Sequence, residues 1–152
     1  MSRRLSRALL LLLVALALPA SPRTVEGQEA RRRWERACLV RQEKFDLVLP
    51  GAMAANDADM WIVVMREGLL DPLWEALGRG YVNGWAYWVF TRGEGEERVE
   101  RAIFGVGGYG PEECPVYDHV GQPDELADWV RVRDPERIAV NMAEAIGGAD
   151  GL

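Results

Sequence analysis

His119 is the only histidine of the chain. Any Ser-His-Asp or Cys-His arrangement would have to use it as the base. Cys114 stands five positions earlier, but nearness in sequence does not give an attack geometry. The expectation for His119 is a surface or hydrogen-bonded side chain. A zinc site built from Cys38, Cys114 and His119 would lack a fourth ligand, and it has none of the close Cys pairs that structural zinc sites use. Gly105-Val-Gly107-Gly-Tyr-Gly110 has dinucleotide-loop spacing after a strand-like run. Such a loop works only when a helix opens at the third glycine and aims its N–H groups at a pyrophosphate. Here Pro111 could open such a helix, but Pro115 would disrupt it almost at once, so the segment reads as a plain loop. Glu94, Glu96, Glu97 and Glu100 could hold a hard cation or do acid–base work. Between Arg92, Arg98 and Arg101 they read as a charge-balanced hairpin end. The aromatic set Trp61, Trp74, Tyr81, Trp85, Tyr87 and Trp88 either fills a core or lines a contact surface. Trp85 and Trp88 are the candidate partner-contact residues. No catalytic, cofactor-binding or metal-ligating residue is assigned.

The elements that would carry these residues follow from periodicity. From Ala30, apolar Trp34, Ala37, Cys38, Phe45, Val48 and Leu49 recur at helical spacing. Residues 21–29 read as a flexible linker before that helix. Pro50 suits the first turn of a second short helix, which would end near Asn56. Asp59 to Met65 is a nearly continuous apolar run, as expected of a strand buried on both faces. Asp71-Pro72 opens a short helix through Leu77, and Gly78 closes it. Trp85 to Thr91 is aromatic and β-branched, and Arg98 to Phe104 alternates in part. Together they predict a hairpin. Residues 105–122 read as a loop. Pro123-Asp-Glu125 marks a helix start through Arg131, with Leu126, Trp129 and Val130 on its apolar face. Residues 137–142 form a last strand. The predicted fold is α/β, a small mixed-sheet domain with flanking helices.

Composition narrows the partners. Formal net charge is −6, and Lys44 is the only lysine. An acidic surface repels phosphate backbones, so nucleic acid is an unfavourable partner. Arg3, Arg4 and Arg7 precede an apolar run over residues 8–18, then Pro19 and Ala20. This is the layout of a cleavable signal peptide, with residues 1–28 as signal and linker. The run falls short of the roughly 20 residues of a membrane span. The expectation is export to the periplasm or the extracellular space. Losing residues 1–20 removes three arginines and no acid, which takes the charge from −6 to −9. In an exported chain Cys38 and Cys114 could pair. One sits on the helix and the other in a Pro-flanked loop, and the reading adopted is two separate thiols.

Four strings then stand out in combination: Lys44 to Met53, Asp59 to Glu67, Val89 to Thr91, and Arg133 to Met142. Ala149 to Leu152 can be added to them. Together they resemble the N-terminal domain of Xaa-Pro peptidases, the creatinase/prolidase/aminopeptidase P group of pita-bread metallopeptidases. The resemblance implies a ribonuclease H-like α/β domain over residues 29–142, with 143–152 starting a linker. It also implies a following catalytic domain that binds a dinuclear centre of Mn, Co or Zn. The first domain would help shape the active-site mouth and the oligomer, a homo-oligomer in the full-length protein. No metal-binding string of the family occurs here, so no metal or cofactor is expected in this chain. The expectation is a non-catalytic domain, inactive alone, whose partner is the missing C-terminal domain. A stand-alone exported binding module is the alternative.

Overall fold

Residues Met60–Arg66 are apolar at six of seven positions, and the chain folds them as strand β1, in the interior of the sheet. In the computed structural model, residues 22–78, 80–93, 98–107 and 114–142 are described. The chain divides into two compact units, Met1–Arg36 and Ala37–Leu152. The signal-like segment and the tail from residue 143 lie outside the described residues. Among the described residues no helix is long and apolar enough to cross a membrane.

Helix α1 spans Pro22–Glu43, continues as a π-helical turn over Lys44–Val48, and passes into α2, Leu49–Ala55. The linker expected over residues 21–29 is therefore helical from Pro22. Ion pairs Glu29–Arg33 and Arg31–Glu35 at i,i+4 spacing support it, as such pairs do on a helix surface. The π turn adds residues per turn and rotates the apolar stripe. Phe45, Leu49 and Met53 are buried, while Val48, expected on the stripe, is exposed. Pro50 sits in the first turn of α2.

A one-turn helix α3, Trp74–Leu77, follows β1. Asp71 prepares it by accepting a hydrogen bond from the Leu73 N–H at 2.7 Å. Strands β2 (Tyr81–Arg92) and β3 (Val99–Gly107) form the expected hairpin, with β2 longer than predicted at both ends and β3 running on past Phe104 to Gly107. Then come β4 (His119–Gly121), a 3-10 turn (Pro123–Glu125), α4 (Leu126–Arg133) and β5 (Ile138–Val140). The strand β4 lies inside the segment read as a loop. Asp134 at φ 44° ends α4 in the left-handed region, and Pro135 cannot extend the helix.

The sheet order is β4-β3-β2-β1-β5. Neighbours β1–β2 and β2–β3 are antiparallel, and β1–β5 and β3–β4 are parallel. Only β2 runs against the rest, so the sheet is mixed and flanked by helices, as expected. One face carries Val63, Met65, Ala86, Trp88, Phe90 and Ile103, packed with Phe45, Leu49, Met53 and Tyr117. The other carries Met60, Ile62, Val64, Val89, Ala102 and Phe104, packed with Leu126, Trp129 and Val130 of α4. Cover on both sides is why β1 reads as an unbroken apolar run. Between Val82 and Tyr87 the β2–β3 register shifts. Gly105 faces that bulge at φ 73°, and a Cβ there would stand 2.4 Å from the Trp85 carbonyl oxygen. A side chain would break both the backbone conformation and the close approach.

Two expectations are corrected. Cys38 and Cys114 are not separate thiols: they form a disulfide with Cα atoms 5.7 Å apart, bridging 76 positions of sequence. The end of α1 packs against the core cluster that contains Cys114, a meeting that local sequence does not encode. Trp88 is not a surface contact residue: it is 1% exposed, with its ring edge-on to Trp74. Trp85 is 44% exposed, with Arg66 over its ring at 5.6 Å. The three-residue difference in position places them on opposite faces of β2, Trp88 opposite Val63 and Trp85 opposite Arg66 of β1.

Candidate functional site

The short strand β4 lies beside β3, with His119 opposite Ala102 and Gly121 opposite Phe104. This register puts the imidazole on the α4 face. Gly121 makes room for it, since a Cβ there would sit 2.6 Å from His119 Nε2 and 2.8 Å from Glu125 Oε2. The 3-10 turn then returns Glu125 to the same spot. Its Oε1 accepts the Gln122 N–H at 2.7 Å and its Oε2 lies 3.2 Å from His119 Nε2. One carboxylate thus fixes a helix start and orients a histidine ring.

Helix α4 supplies the opposite wall. The His119 and Trp129 ring centroids are 4.8 Å apart, and Phe104 stands edge-on to Trp129 at 5.5 Å. Arg133 lies over the Trp129 ring, its Cζ 3.2 Å from the centroid. Its Nε and Nη2 donate to the two oxygens of Glu100 at 2.6 and 2.7 Å. Such a forked pair holds the guanidinium flat on the indole. Asp128 and Val132 complete a cleft of about 310 Å³ open to solvent. Its chemistry is a half-exposed imidazole–carboxylate pair beside an aromatic face and an anchored cation. That suits proton exchange or the binding of a small polar group. Neither a Ser or Thr hydroxyl nor a Cys thiol is among the residues lining it.

The sequence candidates fall apart around this cleft. Cys38 and Cys114 are bonded to each other, which removes both from a Cys-His pair or a thiolate zinc site. Glu100 leaves the acidic hairpin cluster to join Arg133, while Glu94, Glu96 and Glu97 lie outside the described residues, as does the stretch 108–113 of the glycine-rich segment. Its first part, Gly105 to Gly107, is strand, not loop. Among the described residues no group of three or more His, Cys, Asp or Glu could hold a metal ion.

Sequence reasoning missed three polar anchors. Arg101 is 3% exposed on the core face of β3. It is ion-paired with Asp46 of the π turn, donates to the Val116 carbonyl at 3.3 Å and lies 5.3 Å from the Phe45 ring. Arg41 donates from Nε to the Ala76 carbonyl at 2.9 Å and from Nη1 to Cys114 Sγ at 3.5 Å. Asn141 extends β5 with its side chain, pairing with Val64 N–H at 2.8 Å and Val64 carbonyl at 3.2 Å, and donating to Asp71 at 2.8 Å. At the outer end of β3, Arg98 pairs with Asp118. That hydrogen bond, then the charge of Asp118, raises the guanidinium above its ordinary pKa. The only advance signal for the cleft was Gln122-Pro-Asp-Glu125, a helix start whose acid stands three positions after the cap.

No known protein family, no curated protein and no solved structure matches this chain.

Proposed function

We propose that the chain is the non-catalytic N-terminal domain of an exported Xaa-Pro peptidase-like protein, of the ribonuclease H-like kind that its strings resemble. One observation carries the reading: three of the strings, far apart in sequence, come together around β1. Asp59 to Glu67 spans β1, Val89 to Thr91 pairs with it on one side, and Ile138 to Val140 pairs with it on the other. Asp59 sits at their junction. Its Oδ1 accepts Arg92 Nη2 at 3.1 Å and its Oδ2 accepts the Arg137 N–H at 3.0 Å. The order β3-β2-β1-β5 with β2 reversed is compatible with that fold class. The dinuclear Mn, Co or Zn centre and the peptidase chemistry belong, on this reading, to a second domain, and the full-length protein is a homo-oligomer. The purified chain incubated with Mn²⁺, Co²⁺ or Zn²⁺ and Xaa-Pro peptides should release no amino acid. Turnover that follows this polypeptide through purification would sink the proposal, and so would a coding frame that closes at Leu152.

The cleft at His119, Trp129 and Arg133 favours a second reading, a stand-alone exported binding module. A closed frame together with saturable binding of a small polar ligand, lost in Trp129→Ala, would decide for it.

A further inference from the structure

We propose that the Cys38–Cys114 disulfide is a directional thiol-exchange site: a small thiol enters at Cys38 and Cys114 leaves as a thiolate held by Arg41. The two sulfurs stand in unlike surroundings. Cys114 is 3% exposed within the core face, whereas Cys38 is only partly buried at the edge of that cluster. A nucleophile must approach along the S–S axis from the far side of the sulfur that it attacks, so access selects Cys38. The leaving sulfur must then take up a negative charge in an apolar setting, which burial alone disfavours. Arg41 answers that cost. Its Nη1 is 3.5 Å from Cys114 Sγ, and its Nε and Nη2 are already fixed on the carbonyls of Ala76 and Glu75 at 2.9 and 3.3 Å. A guanidinium keeps its proton at every working pH. The cation is therefore in place before the bond opens, and a lower-pKa thiol leaves faster.

The exchange balances without a further reactant. A thiolate of the glutathione class attacks Cys38 Sγ, and a new S–S bond forms there. The Cys38–Cys114 bond breaks, and its electron pair stays on Cys114 Sγ. The product is a mixed disulfide on α1 and a buried thiolate beside Arg41. A second thiolate attacking the mixed disulfide releases oxidised thiol and leaves both cysteines reduced, a two-electron reduction of the protein by two thiols.

The folded full chain should be exposed briefly to glutathione, quenched in acid, alkylated and mapped by peptide mass spectrometry. The glutathione adduct should stand on Cys38 and the alkyl group on Cys114, in about tenfold excess over the reverse. Adducts on Cys114, or an even split, would overturn the proposal. Arg41→Gln should slow opening by roughly three- to tenfold, and a rate that does not fall counts against it. Because Arg41 also holds two carbonyls, a second measurement leaves the disulfide out. In Cys38→Ser, the thiolate absorbance of Cys114 near 240 nm should titrate at lower pH with Arg41 present than with Arg41→Gln. An unmoved midpoint would overturn the role given to Arg41.

Discussion

The two faces of the sheet are covered in opposite ways. Over one face lie the end of α1, the π turn, α2, α3 and the 114–117 segment, with Phe45, Phe90 and Tyr117 in mutual ring contact. The same side holds the disulfide and the ion pair of buried Arg101 with half-exposed Asp46. Over the other face lies one eight-residue helix, α4. Beyond it Ile138 and Val140 of β5 are 44% and 37% exposed, and Met142 is 77% exposed. The face rich in long-range links is the one expected to contribute most to stability. The sparsely covered face carries the cleft and has apolar surface left over. Long-range links are thus concentrated on one side of the sheet and exposed apolar surface on the other.

The sharpest way to break that division is to cut one large aromatic from each side. Trp88→Ala removes a fully buried ring and should cost about 4 kcal/mol by denaturant unfolding. Trp129→Ala removes a partly exposed ring whose Nε1 is buried without a hydrogen-bond partner. It should cost about half as much, roughly 2 kcal/mol. Equal costs would mean that the helix face matters as much to folding as the other.

The disulfide comes next. Replacing both cysteines by serine frees a loop of 76 positions, and the expected loss is about 3 kcal/mol. Reducing the wild-type chain should lower its unfolding midpoint to that of the double variant. A loss under about 1 kcal/mol would show that packing alone closes this face.

The Arg101–Asp46 pair tests the same face with a predicted asymmetry. Asp46→Ala leaves a guanidinium at 3% exposure without its counter-charge. Arg101→Met leaves a carboxylate whose side chain is 41% exposed and can turn to water. The first should cost about 2 kcal/mol and the second about half that, since an orphaned buried charge is the larger penalty. The reverse order would place the desolvation cost on the acid.

These predictions also mark what the sequence made legible. β1 was readable because cover on both faces leaves no polar alternation to confuse it. The hairpin and α4 announced themselves through aromatic and β-branched runs and through Pro123-Asp-Glu125. What stayed hidden depends on distant partners. β4 is three residues long and has meaning only beside β3. The π turn is a small excess of residues per turn inside an ordinary helical pattern. Cys38 and Cys114 meet because the end of α1 packs on the core, and Arg101 looks like any outward residue of an alternating strand until Asp46 is placed against it. The His119–Glu125 spacing belongs to neither helix nor strand, since a turn bends the chain between them. The resemblance named strings that gather at β1, and only their last, through Arg133 at its start, touches the cleft.

The smallest expected effect separates surface from core within β2. Trp85 is 44% exposed and Tyr81 60% exposed near the bulge, so Trp85→Ser should change unfolding free energy by only about 0.5 kcal/mol. Exposed aromatics beside apolar edge residues favour association with another surface. If the Trp85 surface normally docks on a partner, the isolated chain should self-associate at micromolar concentration. Losing one half-exposed indole at such a contact should cost about 1 kcal/mol, a roughly fivefold weaker dimer by sedimentation velocity. Trp88→Ser would lower association only by unfolding the chain, which circular dichroism would reveal. A chain that stays monomeric at these concentrations, or a Trp85→Ser variant that associates as strongly as the wild type, would detach Trp85 from any docking role. The apolar edge formed by Ile138, Val140 and Met142 would then be the place to cut, with Ile138→Ser as the next variant to weigh in the same experiment.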